Sequence, residues 1–262
     1  MRMSFSNLAW KSESDEEMYR KLQQYCFMGL EIAPTRLYPE NPYSKLNEAK
    51  KWSQFIFEKY GLSISSMQSI WFGRNERLFG SKQEQQILLD YSKRAIDFAS
   101  AIGCHNLVFG CPRNRCLPEG GMETVALDFF GEIAQYSLGN NTVFAIEANP
   151  PIYHTNYINT TSQAIDLVRK INSEGLKINL DVGTLLANNE DLSILDGNIE
   201  LINHVHISEP KLVAIREHQL HKELSVLLRR EYYQGYISVE MSQQEDLSIL
   251  DEICKYMKEI FE

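Results

Sequence analysis

The sequence predicts a (β/α)8 barrel, eight parallel strands closed into a cylinder with helices around it. Three observations carry that prediction. Short apolar runs alternate with segments of helical period eight times along the chain, the alternation that builds a parallel sheet flanked by helices. No shift of composition and no Pro/Gly/Ser-rich linker divides residues 1–262, so one domain is expected over the whole chain. That length also suits one closed barrel of this kind. The competing architecture, an open doubly wound sheet, lacks its signature, because no G-x-G-x-x-G turn follows the first strand.

Residues 3–10 open the chain as the first strand. Residues 13–27 follow as a helix, with Met18, Leu22, Tyr25 and Cys26 at helical spacing. Gly29 is expected to close that helix. Residues 30–33 form the second strand, ended by Pro34, and residues 43–60 the second helix, stopped by Gly61. Strand three is 62–70; helix three is 83–102, with Gly103 behind it. Strand four is 106–109, and its exit loop, 110–115, collects chain breakers and basic side chains. Helix four spans 122–138, before Gly139 and a strand running from Val143 into Glu147. Helix five is 162–173, stopped near Gly175, and strand six is 177–181. A weaker helical segment at 191–195 leads to strand seven at 202–207. Helix seven at 220–231, strand eight at 236–240 and a last helix at 247–261 complete the pattern.

Composition narrows the partners. The chain has 35 Asp and Glu against 26 Lys and Arg, a net charge of −9. A protein that grips nucleic acid needs clustered cations to neutralise phosphates, so no nucleic acid partner is expected. No apolar run approaches a membrane span, and the first residues lack a basic region followed by an apolar core. The expected compartment is therefore the cytoplasm, with no membrane partner. The five cysteines are scattered without zinc-knuckle spacing and read as reduced thiols.

The last four strands share a grammar: an apolar run ends in a group able to hold a metal or move a proton. These groups are Glu147, Asp181, His206 and Glu240. Any one of them alone reads equally well as an ordinary polar strand cap. Active sites of such barrels lie at the C-terminal strand ends, so the four are expected to converge. Three carboxylates at one spot repel unless something positive joins them. A divalent cation answers that need, and one imidazole with three carboxylates suits Mn²⁺, Mg²⁺, Co²⁺ or Zn²⁺.

With Ala-Ile-Glu147-Ala-Asn-Pro, Asn-Leu-Asp181-Val-Gly, His204-Val-His206-Ile-Ser-Glu-Pro and Ser-Val-Glu240-Met, the chain resembles the xylose-isomerase-like TIM-barrel superfamily. That group includes ketose 3-epimerases, hydroxypyruvate isomerases, inosose dehydratases and isomerases, and the endonuclease IV branch. The resemblance spans nearly the whole chain and is strongest from Val143 to Met241. It implies a divalent metal on Glu147, Asp181, His206 and Glu240, with the two Glu as the acid/base pair of a sugar isomerase or epimerase. The chemistry agrees: a cation across the hydroxyl and carbonyl oxygens of an α-hydroxy ketone acidifies the adjoining C–H and stabilises the enediolate. The alternatives are a sugar or inosose dehydratase on the same site, a metal-free binding barrel, and an endonuclease IV-like repair enzyme. Many relatives carry His where this chain has Thr184, a departure that favours the metal-free alternative. Gln68 rather than His ends strand three, and this sets DNA repair last.

The expected partner is thus a small carbohydrate, with assembly into a homo-oligomer left open. Its expected contacts surround the mouth. Glu31 and Arg36 flank the end of strand two, and Arg113 and Arg115 occupy the loop after strand four. Guanidinium forks suit a carboxylate or phosphate; a solvated loop charge is the plainer reading. Trp71 is placed either to stack on a sugar face or to cap the barrel. Gln68, Asn149, His154, Thr184, Lys211 and His218 complete the expected substrate set. His204 lies on the same side of its strand as His206, one layer deeper, and is expected to be a hydrogen-bonded barrel residue.

Overall fold

The computed structural model describes residues 1–262. Its strands are β1 (Arg2–Ser6), β2 (Gly29–Ile32), β3 (Ser63–Met67), β4 (Asn106–Phe109), β5 (Val143–Glu147), β6 (Leu176–Asp181), β7 (Ile202–Ile207) and β8 (Tyr236–Val239). Each pairs in parallel with the next, and β8 returns to β1, closing the barrel. The helices are α1 (Asp15–Gln24), α2 (Pro34–Leu37), α3 (Leu46–Tyr60), α4 (Lys82–Ala101), α5 (Thr124–Gly139), α6 (Thr161–Ile171), α7 (Val182–Asn188), α8 (Gln219–Arg230) and α9 (Leu247–Phe261). No helix is long and apolar enough to cross a membrane.

Local chemistry explains the boundaries. Reciprocal hydrogen bonds between Ser81 and Glu84, and between Thr160 and Gln163, start α4 and α6 by satisfying N–H groups the helix cannot. Gly61 ends α3 at φ 71°, a left-handed turn that costs glycine nothing. Gly29 corrects the expectation set for it. Helix α1 stops at Gln24, Cys26 makes the left-handed turn, and Gly29 is the first residue of β2. A Cβ on Gly29 would lie 2.8 Å from the Cβ atoms of both Ser4 and Ser65, so close approach of three strands demands glycine there.

A second correction falls after β6. The helix expected at 191–195 is only a 3-10 turn, Leu192–Leu195. The true helix, α7, begins immediately at Val182 with Asp181 as its N-cap. Asp is a strong cap because its carboxylate accepts free N–H groups of the first turn.

Apolar and polar residues divide between the two surfaces of the barrel wall. Phe109 of β4 packs on Trp71, Phe130 and Phe144, part of the apolar layer between strands and helices. The lumen is largely polar, and several of its groups pair across it. Ser4 meets Ser65 at 2.6 Å, Asn106 donates to Ser66 at 2.9 Å, and Asn203 donates to Asn106 at 2.7 Å. Buried polar groups need such partners.

Candidate metal centre

Strand register pairs two of the four strand-end groups directly. Glu147 lies opposite Asn179 and Asp181 opposite His206. The second pairing depends on a register shift, because Ile178 faces Ile202 while Asn179 faces His204. Asn203 is the extra residue that raises His206 level with Asp181. One ligand atom from each of Glu147, Asp181, His206 and Glu240 lies within 4.8 Å of all the others.

His206 sits at the centre. Its Nδ1 lies 3.0 Å from Glu147 Oε1 and 3.1 Å from Glu240 Oε2, and its Nε2 lies 2.9 Å from Glu31 Oε2. The other three groups are held unequally. Both oxygens of Glu147 accept from amides, Asn179 at 2.7 Å and Asn149 at 3.1 Å. Asp181 accepts from Ser208 and from the Thr184 N–H at 2.8 Å, with the Thr184 hydroxyl at 2.7 Å. The Glu240 carboxylate is met by His206 alone. Gly110 leaves room for the group, since a Cβ there would lie 2.7 Å from Glu147 Oε2.

The electrostatics are those of crowded buried acids. Burial pushes the Asp181 carboxyl up to about 6, helped by Glu147 and opposed by its hydrogen bonds and His206. Burial likewise pushes Glu240 up to about 7 against the pull of His206, with Glu147 and Asp181 adding to the rise. For His206, burial favours the neutral ring, but Glu31, Glu240 and Glu147 together hold it well above 6.5. Burial would also raise Glu31, yet attraction and hydrogen bonding from His206 and His204 outweigh it and lower the acid.

A divalent cation fits this arrangement. His206 Nδ1 is buried without a hydrogen-bond partner, and it faces carboxylates from the centre of a hard-donor set. Such oxygen and imidazole donors at this spacing are what Mn²⁺, Mg²⁺, Co²⁺ or Zn²⁺ takes. Beside it lies a cavity of about 190 Å³, lined by Gln68, Asn149, Tyr153 and Leu212 together with Glu147, Asp181 and Glu240. A larger cavity of about 680 Å³, lined by Arg2, His105, Asn203 and Tyr236, opens at the opposite end of the barrel, away from the carboxylates.

Of the expected substrate contacts, Gln68 and Asn149 line the small cavity. The others lie elsewhere. Trp71 is buried in the wall, donating its Nε1–H to Ser92 at 2.8 Å. Arg36 is paired with Asp15 at 2.6 Å. Arg115 is fully buried and donates to the carbonyls of Glu147 at 2.8 Å and Ile158 at 3.2 Å, so its fork holds backbone. Arg113, His154 and Lys211 are exposed. His218 pairs with Glu209 at 2.7 Å. Thr184 is buried against Asp181 and the Ala148 carbonyl. Glu31 lies beneath the site, touching His206, His204 and Gln68. His204 is 3.1 Å from Glu31, at the deeper level expected of it. Tyr153 and Leu212 were missed; nothing in the sequence separates Tyr153 from its neighbour His154, whose left-handed backbone turns it outward to solvent.

The fold and site together are a closed parallel barrel with an acid and imidazole cluster at successive C-terminal strand ends. A family model described as xylose isomerase-like TIM barrel matches residues 19–260, and the chain belongs to that family. No curated protein matches the chain. Among solved structures it is similar to the 3-keto-D-glucoside 4-epimerase of E. coli, at 20% identity and TM-score 0.78, covering 99% of both chains. D-psicose 3-epimerase from Clostridium cellulolyticum H10, solved with D-tagatose, gives 15% identity and TM-score 0.80 with 100% of both chains covered. An AP endonuclease of family 2 from Brucella melitensis gives 17% and 0.76, covering 98% of this chain and 99% of that one. At these identities the likeness is one of fold.

Proposed function

We propose that the protein is a divalent-metal-dependent carbohydrate isomerase or epimerase, acting by proton transfer at a carbon beside a carbonyl. The observation that carries the reading is the convergence of Glu147, Asp181, His206 and Glu240, the three carboxylates of which line one small cavity. The sugar epimerases among its structural neighbours support it. Glu147, Asp181, His206 and Glu240 would hold the ion. When bound, it supplies positive charge beside the substrate's hydroxyl and carbonyl oxygens, lowering the cost of the enediolate.

The chain's own groups supply the rest. One carboxylate of the Glu147/Glu240 pair takes the proton from the substrate carbon, and the other, protonated, returns one. Return to the opposite face of the same carbon inverts it, whereas return to the neighbouring carbon interconverts aldose and ketose. Asn179 and Asn149 fix the aim of Glu147, and Thr184 with Ser208 fixes Asp181. Tyr153 and Leu212 close the cavity wall.

The test is a screen of ketoses, aldoses and inososes with chelator-stripped protein reloaded with Mn²⁺ or Co²⁺, run in D₂O. Deuterium gain at the carbon beside the carbonyl, dependent on the metal, is the expected result. No exchange on any sugar would end the reading, and accumulation of a conjugated enone would assign a lyase instead.

A further inference from the structure

We propose that Glu31 is a positioning residue that sets which nitrogen of His206 faces the metal site. The inference rests on the metal reading above and adds a residue outside the ligand set. Glu31 is 0% exposed and lines neither the small cavity nor the larger ones. A carboxylate so placed is costly unless it is fully engaged. Its engagements are specific. Gln68 donates to Oε1 at 2.6 Å, and Oε2 lies 2.9 Å from His206 Nε2 and 3.1 Å from His204 Nε2. Gln68 is itself fixed by Ser6 at 2.6 Å.

The consequence follows from the two nitrogens of one ring. A neutral imidazole has one N–H and one lone pair. An anionic oxygen 2.9 Å from Nε2 keeps the proton there, which leaves the lone pair on Nδ1. That atom faces Glu147 Oε1 at 3.0 Å and Glu240 Oε2 at 3.1 Å. Without Glu31 the ring is free to carry its proton on Nδ1, which can then serve Glu147 and Glu240 and closes the site to a cation. Histidine ligands are commonly oriented by a carboxylate on their second nitrogen, and removing that partner weakens metal binding by about 10- to 100-fold.

Two other roles for Glu31 are disfavoured by the geometry. It does not border the cavity, so it is not a substrate contact. Together with His204 and His206 it forms a second group of potential ligands, but a neutral ring has one lone pair, so a His206 that offers Nδ1 to the first group has none on Nε2 for an ion in the second.

The test uses the whole chain, stripped of metal and titrated calorimetrically with Mn²⁺. Wild-type protein is expected to take one ion per chain, and Glu31→Gln, of the same shape, to bind it about 10- to 100-fold more weakly with an unchanged circular dichroism spectrum. ¹⁵N spectra of the Zn²⁺-loaded wild type should show His206 protonated at Nε2 and bound through Nδ1; this measurement decides the matter if Glu31→Gln misfolds. Equal affinity in the variant, binding through Nε2, or two ions per chain with one lost in Glu31→Gln would each overturn the proposal while leaving the metal reading standing. No ion in the wild type would overturn both.

Discussion

The two halves of the barrel use the same strand ends for different work. In β5 to β8 each end supplies a member of the cluster: Glu147, Asp181, His206 and Glu240. In β1 to β4 the corresponding positions hold Ser6, Glu31, Gln68 and Gly110, which brace or make room for that cluster. In the function proposed, the second half carries the chemistry and the first half controls its geometry. Closure of the sheet makes the division workable, because β1 and β2 stand across a narrow polar lumen from β7. Substitutions in each half should therefore fail in different ways.

The largest effect is expected in the second half. Glu147→Gln and Glu240→Gln each remove a group proposed to transfer a proton and should lower kcat on the identified sugar by about 10²- to 10⁴-fold. Circular dichroism should be unchanged, and either variant at full turnover would break the comparison. Next comes a first-half residue with no chemistry of its own. Gly110→Ala puts a Cβ into the space of Glu147 Oε2, and displacing a catalytic group by about 1 Å can cost about 100-fold. Turnover should fall to that degree while the melting temperature moves little; an unaffected kcat would mean the carboxylate has room to move.

A smaller effect, on stability rather than turnover, is expected at Arg115. Arg115→Met takes a donor from the carbonyls of Glu147 and Ile158, the latter keeping only the Asn149 N–H, and should cost about 1–3 kcal/mol in urea unfolding. Arg113→Ala, an exposed change two residues away, should stay within about 0.5 kcal/mol. Equal effects would show that the buried fork contributes nothing.

The smallest effect is a pH slope in the metal-free protein. Glu240 is pushed up to about 7 and His206 held above 6.5, so between pH 6.5 and about 8 the folded state keeps protons the unfolded chain has shed. Stability then falls as pH rises through that window. His204 and His221, both lowered, oppose the slope near pH 6.5, where the unfolded chain still binds part of their protons, and add nothing toward pH 8. The melting temperature should drop by about 2–4 °C from this source, and added Mn²⁺, replacing the protons, should reverse the slope. A flat profile without metal would show that the cluster does not store protons.

Much of this was legible in the sequence because strand and helix periods are local properties. Strand β4 and helix α9 fall at the residues the pattern marks, and the four strand-end groups stand out as charges where an apolar run should continue. The misreadings share one cause. Gly29 resembles a helix stop until β1 and β3 are seen pressing on it. Trp71 and Arg115 look like mouth residues by position, yet Ser92 and two backbone carbonyls take them into the wall. Position along the chain says where a side chain starts; its partners decide where it ends.

By itself the sequence determined the order of the elements, the family motifs and the identity of Glu147, Asp181, His206 and Glu240, since residue type and local spacing are enough for these. Tertiary structure decided what makes them one site. The register shift at Ile178/Asn179 sets Asp181 level with His206, and barrel closure brings Glu31, 175 residues away in the chain, beneath the same ring. Both depend on non-local pairing, where a one-residue slip turns a side chain to the other face of the sheet, and no local pattern encodes it.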